Sequence, residues 1–165
     1  MGLDARVYCD CIRRGHIKTP HPFPELLFLD EDGCPNIRSD DLERQVLHDT
    51  WQWKDACTHQ NCTAIHHRIG NISHISHIRR TIQELQLLTR FEYTIVLQKI
   101  LFSGSHAGDR ITIDLLTALE QEIQKLRTNT HLIHDSDTRK ALAYFTEQVQ
   151  ELVRASWDTG NPIIF

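Results

Sequence analysis

Long apolar runs are missing from this chain, and so is any surplus of basic charge. No stretch reaches the about 18 consecutive apolar residues that a membrane-spanning helix needs, so no membrane partner is expected. Acidic residues (22) outnumber Lys and Arg (18), for a formal net charge of −4 with histidine neutral. A surface that binds by neutralising phosphates needs the opposite balance, which argues against nucleic acid as a partner. Glycine (7) and proline (5) are sparse, and no Gly-x-Ser-x-Gly elbow, phosphate-binding glycine loop or dinucleotide fingerprint occurs. No motif therefore names a reaction. The opening Met1–Arg6 lacks the apolar core of a secretory signal. An odd number of cysteines, five, fits reduced thiols better than a disulfide frame, and a cytoplasmic location is the expectation.

What the chain does have is cysteine and histidine crowded early: all five cysteines and eight of the eleven histidines precede residue 80. They form two short chelating pairs, Cys9-Asp10-Cys11 and Cys57-Thr58-His59. Two residues one apart point the same way from an extended segment. Cys9, Cys11, Cys57 and His59 together make a Cys3His donor set for tetrahedral zinc. Three thiolates and a neutral imidazole on Zn²⁺ carry a net charge of about −1, which Arg6, Arg13 or Arg14 would offset. Cys62 and His66 compete as ligands, as do His67 and Cys34. The plainer alternative is that these cysteines are small buried hydrophobes.

Four of the five prolines fall within residues 1–38, and that segment reads as β-containing. A strand is expected over Ala5–Ile12, and a hairpin joins Glu25–Leu29 to Cys34–Arg38 through Asp30–Gly33, because Asp-Gly tolerates the positive φ of a tight turn. Residues 39–160 read as helices. The first runs from Asp40, with Glu43 completing a capping box, to near Cys57, and buries Leu42, Val46 and Trp53. The second follows Gly70 and an Asn71 cap, with Ile72, Ile75, Ile78, Ile82 and Leu85 along one stripe. It bends near Thr89 or continues into Phe91–Phe102, apolar nearly all round and expected at the centre of the core. Residues 103–108 read as a flexible connection. Two more helices are expected over Ile111–Arg127 and Ser136–Trp157, stopped by Gly160-Asn161-Pro162. Residues 161–165 form the tail, whose apolar Ile163-Ile164-Phe165 adds a short strand or packs against the body, and whose exposed apolar residues could serve a homodimer. The whole is one domain, mainly α, a four- to five-helix bundle with a small amino-terminal β segment, bordering on α+β.

Other constellations carry weaker chemistry. His67, Arg68 and Asn71 stand before the second helix, where free N–H groups and a cation could hold an anion; the plainer reading is a turn and a cap. His74 and His77, three apart on a helix, and His131 with His134 read as boundary or loop histidines. The dipeptides His48-Asp49 and His134-Asp135 raise a metal-dependent helical hydrolase acting on phosphoesters, which needs further ligands converging around an open metal position. A nucleophilic Cys57–His66 pair is possible without specific support.

Met1-Gly2-Leu3-Asp4, Val7-Tyr8-Cys9-Asp10-Cys11, Cys57-x-His59 and His67-Arg68-Ile69-Gly70-Asn71 resemble short segments of a group of small bacterial proteins with no assigned activity. The resemblance implies that Cys9, Cys11, Cys57 and His59 belong together, ahead of Cys34 and Cys62, and draws interest to Asp4, His67 and Arg68. The expected role is a binding or interaction protein that regulates or neutralises a protein partner or binds a small ligand, with a structural zinc site.

Overall fold

The computed structural model describes residues 2–54, 56–102 and 109–165, with the backbone alone for 52–54. The fold is α+β. Strand β1 (Gly2–Tyr8) lies between β4 (Thr63–Asn71) and β6 (Ile163–Ile164), with β5 (Arg110–Ile111) beyond β6, all antiparallel. Alternation along β1 turns Leu3, Ala5 and Val7 inward, where they meet Ile69, Ile78, Ile82, Phe145 and Val149 in the main core. The expected strand over Ala5–Ile12 therefore sits several residues earlier. Thr63–Asn71 is a nine-residue strand rather than a loop, which places the fold at the α+β border of the expected range. Its string of polar residues hides that; β propensity is contextual, and β1 supplies the pairing.

The hairpin stands as expected, with β2 (Leu27–Leu29) against β3 (Pro35–Ile37) and Gly33 at φ +80° in the turn. Helix α2 (Ile72–Thr89) buries Ile78, Ile82 and Leu85 and is capped by Asn71, whose side chain accepts from the His74 N–H. It ends at Arg90, in the left-handed conformation. The chain then runs through a short turn with a π-helical segment, Val96–Ile100, instead of a continuing helix. Tyr93, Val96, Ile100 and Leu101 are nonetheless fully buried, as the apolar run demanded. Residues 103–108 lie outside the described residues. Helix α3 (Ile113–Asn129) buries Leu116, Leu119, Ile123 and Leu126, helix α4 (Ser136–Thr159) buries Leu142, Phe145, Val149, Leu152 and Val153, and the Gly160 αL cap ends α4. The tail adds β6.

A buried carboxylate organises the turn after α2. Glu122 on α3 accepts N–H groups of Ile95 and Val96, both at 2.9 Å, doing for this turn what a cap residue does for a helix. Burial pushes its carboxyl up while the N–H groups pull it down. Glu122→Ala strands those donors in the core, a loss of about 3 kcal/mol read by urea denaturation.

Helix α1 (Leu42–Lys54) departs from its expected orientation. Asp41, not Asp40, accepts the Glu43 N–H at 2.9 Å. Leu42 and Val46 are 81% and 63% exposed, and the Trp53 side chain lies outside the described residues. His48 and Trp51 turn inward instead. The helix packs on β3 and on the short turn at Gln60–Cys62, and Thr19 and His21 offer its inner face polar and aromatic partners.

Candidate metal centre

Two irregular segments meet beyond the end of the sheet. After β1, Cys9 extends the ladder by donating its N–H to the Cys62 carbonyl (2.7 Å), and Asp10–Gly15 then turns tightly, with the His16 N–H on the Cys11 carbonyl. On the other side the chain leaves α1, passes Cys57 and His59, and reverses into β4 through Asn61 (φ +55°) and Cys62 (φ +53°). Asn61 tolerates the left-handed region comparatively well, but Cys62 occupies it at a cost of roughly 1–2 kcal/mol. Strain of this kind persists where surrounding structure enforces it, and here it brings the second chelating pair against the first.

The donor atoms of Cys9, Cys11, Cys57 and His59 all lie within 4.8 Å of one another. Cys9 Sγ is 3.6 Å from Cys57 Sγ. His59 Nδ1 stands 3.2 Å from Cys11 Sγ and 3.9 Å from Cys57 Sγ. Tetrahedral zinc, with bonds of about 2.3 Å to sulfur and about 2.0 Å to nitrogen, sets separations of about 3.8 Å between sulfurs and about 3.5 Å from sulfur to nitrogen. Those three separations lie within a few tenths of an ångström of these values, and no pair among the four donors is more than 4.8 Å apart. Among the described residues this is the group of His, Cys and carboxylate donors that converges in this way.

The two pairs repeat one local geometry. The Cys11 N–H points at the Cys9 sulfur, and the His59 N–H lies 3.3 Å from the Cys57 sulfur. Such donors favour thiolate and orient it, as outer partners of a metal site do. Without a cation the thiols resist ionisation. A bond to the Cys62 thiol, then burial, push Cys9 up; burial raises Cys11 and takes Cys57 to about 12. A divalent ion inverts that balance, because its charge stabilises thiolate directly. Behind the site, buried Asn161 donates to the carbonyls of Tyr8 (2.8 Å) and Cys9 (3.3 Å) and accepts from Arg13 (2.9 Å). Arg13 and Arg14 also hold the carbonyls of Thr159 and Asp158 at the end of α4, and Arg14 pairs with Asp10.

The remaining expected ligands sit elsewhere. Cys62 is buried in the same cluster against Cys9 but is not one of the four converging donors. Cys34 lies in the hairpin, near the Pro35 carbonyl and Tyr8. His66 is on the exposed face of β4. His67 faces the other way, its Nε2 2.7 Å from Glu151 Oε2 but not aligned as a hydrogen bond. Arg68 returns to the exposed face, so strand alternation separates His67 from Arg68, and Asn71 spends its side chain on the α2 cap. His74 packs on Gly70, and His77 bonds Thr138. His134 is exposed and Asp135 caps α4 by accepting from the Thr138 N–H.

His48 has a different occupation, which sequence reading missed. His21 Nδ1 accepts the Phe23 N–H at 2.9 Å. Its Nε2 must then carry the proton, donated to His48 Nδ1 at 3.0 Å. The other nitrogen of His48 is left to donate to the Pro35 carbonyl. Both rings are neutral in this relay, since a further proton on either breaks a link. The rings are 4% and 2% exposed, Trp51 stands edge-on to His21 at 4.5 Å, and Asp49 points out to solvent. Burial lowers both imidazoles. The unfolded chain takes up protons near pH 6.5 while the folded chain resists, so stability is full above that pH and declines as pH falls below it. Urea midpoints at pH 7.5 and 5.5 are expected to differ less in His48→Gln, which keeps a donor and an acceptor but does not titrate. An unchanged difference would remove the relay as its source.

No family model, curated protein or solved structure matches this chain.

Proposed function

We propose that this protein is a cytoplasmic binding protein whose action is on a partner, and that Cys9, Cys11, Cys57 and His59 hold a structural zinc ion. The observation that carries the reading is the meeting of four donor atoms within 4.8 Å from segments 48 residues apart. Four protein ligands fill a tetrahedral ion's coordination, which leaves no position for water or substrate and makes the ion's work mechanical. It ties the exit of β1 to the entry of β4 and so fixes the end of α1. A hydrolytic role for His48, Asp49, His134 and Asp135 lacks comparable support, because His48 is bound to His21 and Asp135 to a helix start. Elemental analysis of purified protein is expected to find one zinc per chain. Cys34→Ser keeps it and Cys11→Ser loses it. A folded chain that arrives without metal and takes up neither zinc nor cobalt would end the zinc reading.

A further inference from the structure

Helix α1 leaves an apolar surface uncovered. Leu42, Val46 and Leu47 are 81%, 63% and 45% exposed; Leu42 and Val46 lie on the side of the helix opposite His48 and Trp51, while Leu47 borders Trp51. At 100° per residue Leu42 and Val46 form one stripe, with Asp49 on one flank and Glu43 on the other, and Asp40 and Asp41 stand just before the first turn. All four carboxylates are exposed. Arg44, the one Lys or Arg between Asp40 and Asp49, is turned onto Asp41 and over the Phe23 ring.

That charge pattern selects among occupants. An anionic membrane or nucleic acid would be repelled by these carboxylates. A second copy laid α1 against α1 would set acidic flank against acidic flank, a repulsive arrangement. A helix with leucine-like residues on one face and Lys or Arg beside them complements both the stripe and its borders. We propose that the outer face of α1 is the docking site for a cationic amphipathic helix of a protein partner. The inference rests on the partner-binding reading above and gives that partner a chemistry. The ion would hold the far end of α1 in place, so the docking helix is presented rigidly and little ordering is needed on binding.

The probe is a fluorescein-labelled model helix of leucine and lysine, titrated with the zinc-loaded full-length protein and followed by anisotropy. Saturable binding is expected, weakened about tenfold or more in Leu42→Glu/Val46→Glu, which removes the stripe while adding negative charge. A scrambled peptide of the same composition is expected to bind no more tightly to the wild type than to this variant. Binding kept or strengthened in the variant means diffuse charge attraction and overturns the proposal, as does an absence of saturable binding. Concentration-dependent dimerisation in sedimentation, abolished by the same pair of substitutions, would assign the face to a second copy and overturn it too. Zinc content, measured on every sample, keeps the two readings apart: failure of docking with one zinc bound leaves the metal centre standing.

Discussion

Cys57→Ser is expected to abolish zinc binding at the proposed site and lower the unfolding free energy by about 3–5 kcal/mol, at the large end of single-residue effects, where loss of a metal belongs. For a chain of this length that is a fall in Tm on the order of 10 °C. The serine hydroxyl is a poor zinc ligand at neutral pH, and without the Cys57 thiol only Cys9, Cys11 and His59 remain, too few to close a structural tetrahedral site. The magnitude follows from what the ion would connect. The main core, from β1 through α2 to α4, is assembled from its own apolar contacts, so the chain should not unfold outright as a small zinc finger does. The smaller cluster of Cys9, Cys11, Trp51, Ala56, Cys57 and Cys62 has few other residues to hold it. Amide exchange should therefore quicken in residues 9–16 and 56–62 and through α1, and stay slow in α3 and α4. A chelator is expected to reproduce the shift in the wild type and to add nothing in Cys57→Ser. If the cysteines were only small apolar residues, Cys57→Ser would cost about 1 kcal/mol and the wild type would ignore the chelator. That second pattern sinks the metal centre.

Gly33→Ala is expected to cost nearly as much, about 3–5 kcal/mol, through contacts on the opposite side of the same site. Gly33 holds φ +80°, and a Cβ there would lie 2.4 Å from both Cγ and Oδ1 of Asn161. The backbone contribution is about 1 kcal/mol. The larger share comes from moving Asn161, which bonds Tyr8, Cys9 and Arg13 by its side chain and receives the Ser156 hydroxyl on its carbonyl. Each buried group left without its partner costs about 1–3 kcal/mol. Gly15→Ala is the control: its φ is +70° and nothing lies within 4 Å of the added Cβ, so the backbone contribution alone should appear. Because Asn161 grips the Cys9 carbonyl, Gly33→Ala is also expected to perturb the spectrum of cobalt at the metal centre, whereas Gly15→Ala leaves it alone. Equal, small losses in the two variants would show that Asn161 yields without consequence. In a double-mutant cycle with Asn161→Ala the two losses should fall well short of adding.

The legible elements were those whose pattern is local. The stripes of α2, α3 and α4 recur every three or four residues, and the Asn71 and Gly160 caps sit where helix ends need them. The Asp-Gly turn was legible for the same reason. Helix α1 was misread because its Leu42 and Val46 stripe has the same period as a buried one; periodicity marks a helix face but not what covers it. The inward residues His48 and Trp51 are chosen by the His21 ring and the Thr19 carbonyl, which no local spacing reveals. Asn161 passed as part of a helix stop. Its side chain gains meaning only when Gly33, Tyr8 and Cys9 close around it.

Chelating pairs one residue apart are a property of the chain itself, since neighbouring side chains keep their spacing in any extended segment. Net charge, the absence of spanning apolar runs and the helical stripes belong to the chain in the same way. Which pair faces which was settled by the fold. Strand β4 must pair with β1, and two left-handed residues must reverse the chain, before Cys57 and His59 reach Cys9 and Cys11. Contacts across 48 residues depend on the closing of everything between them, and local chemistry cannot specify that closure.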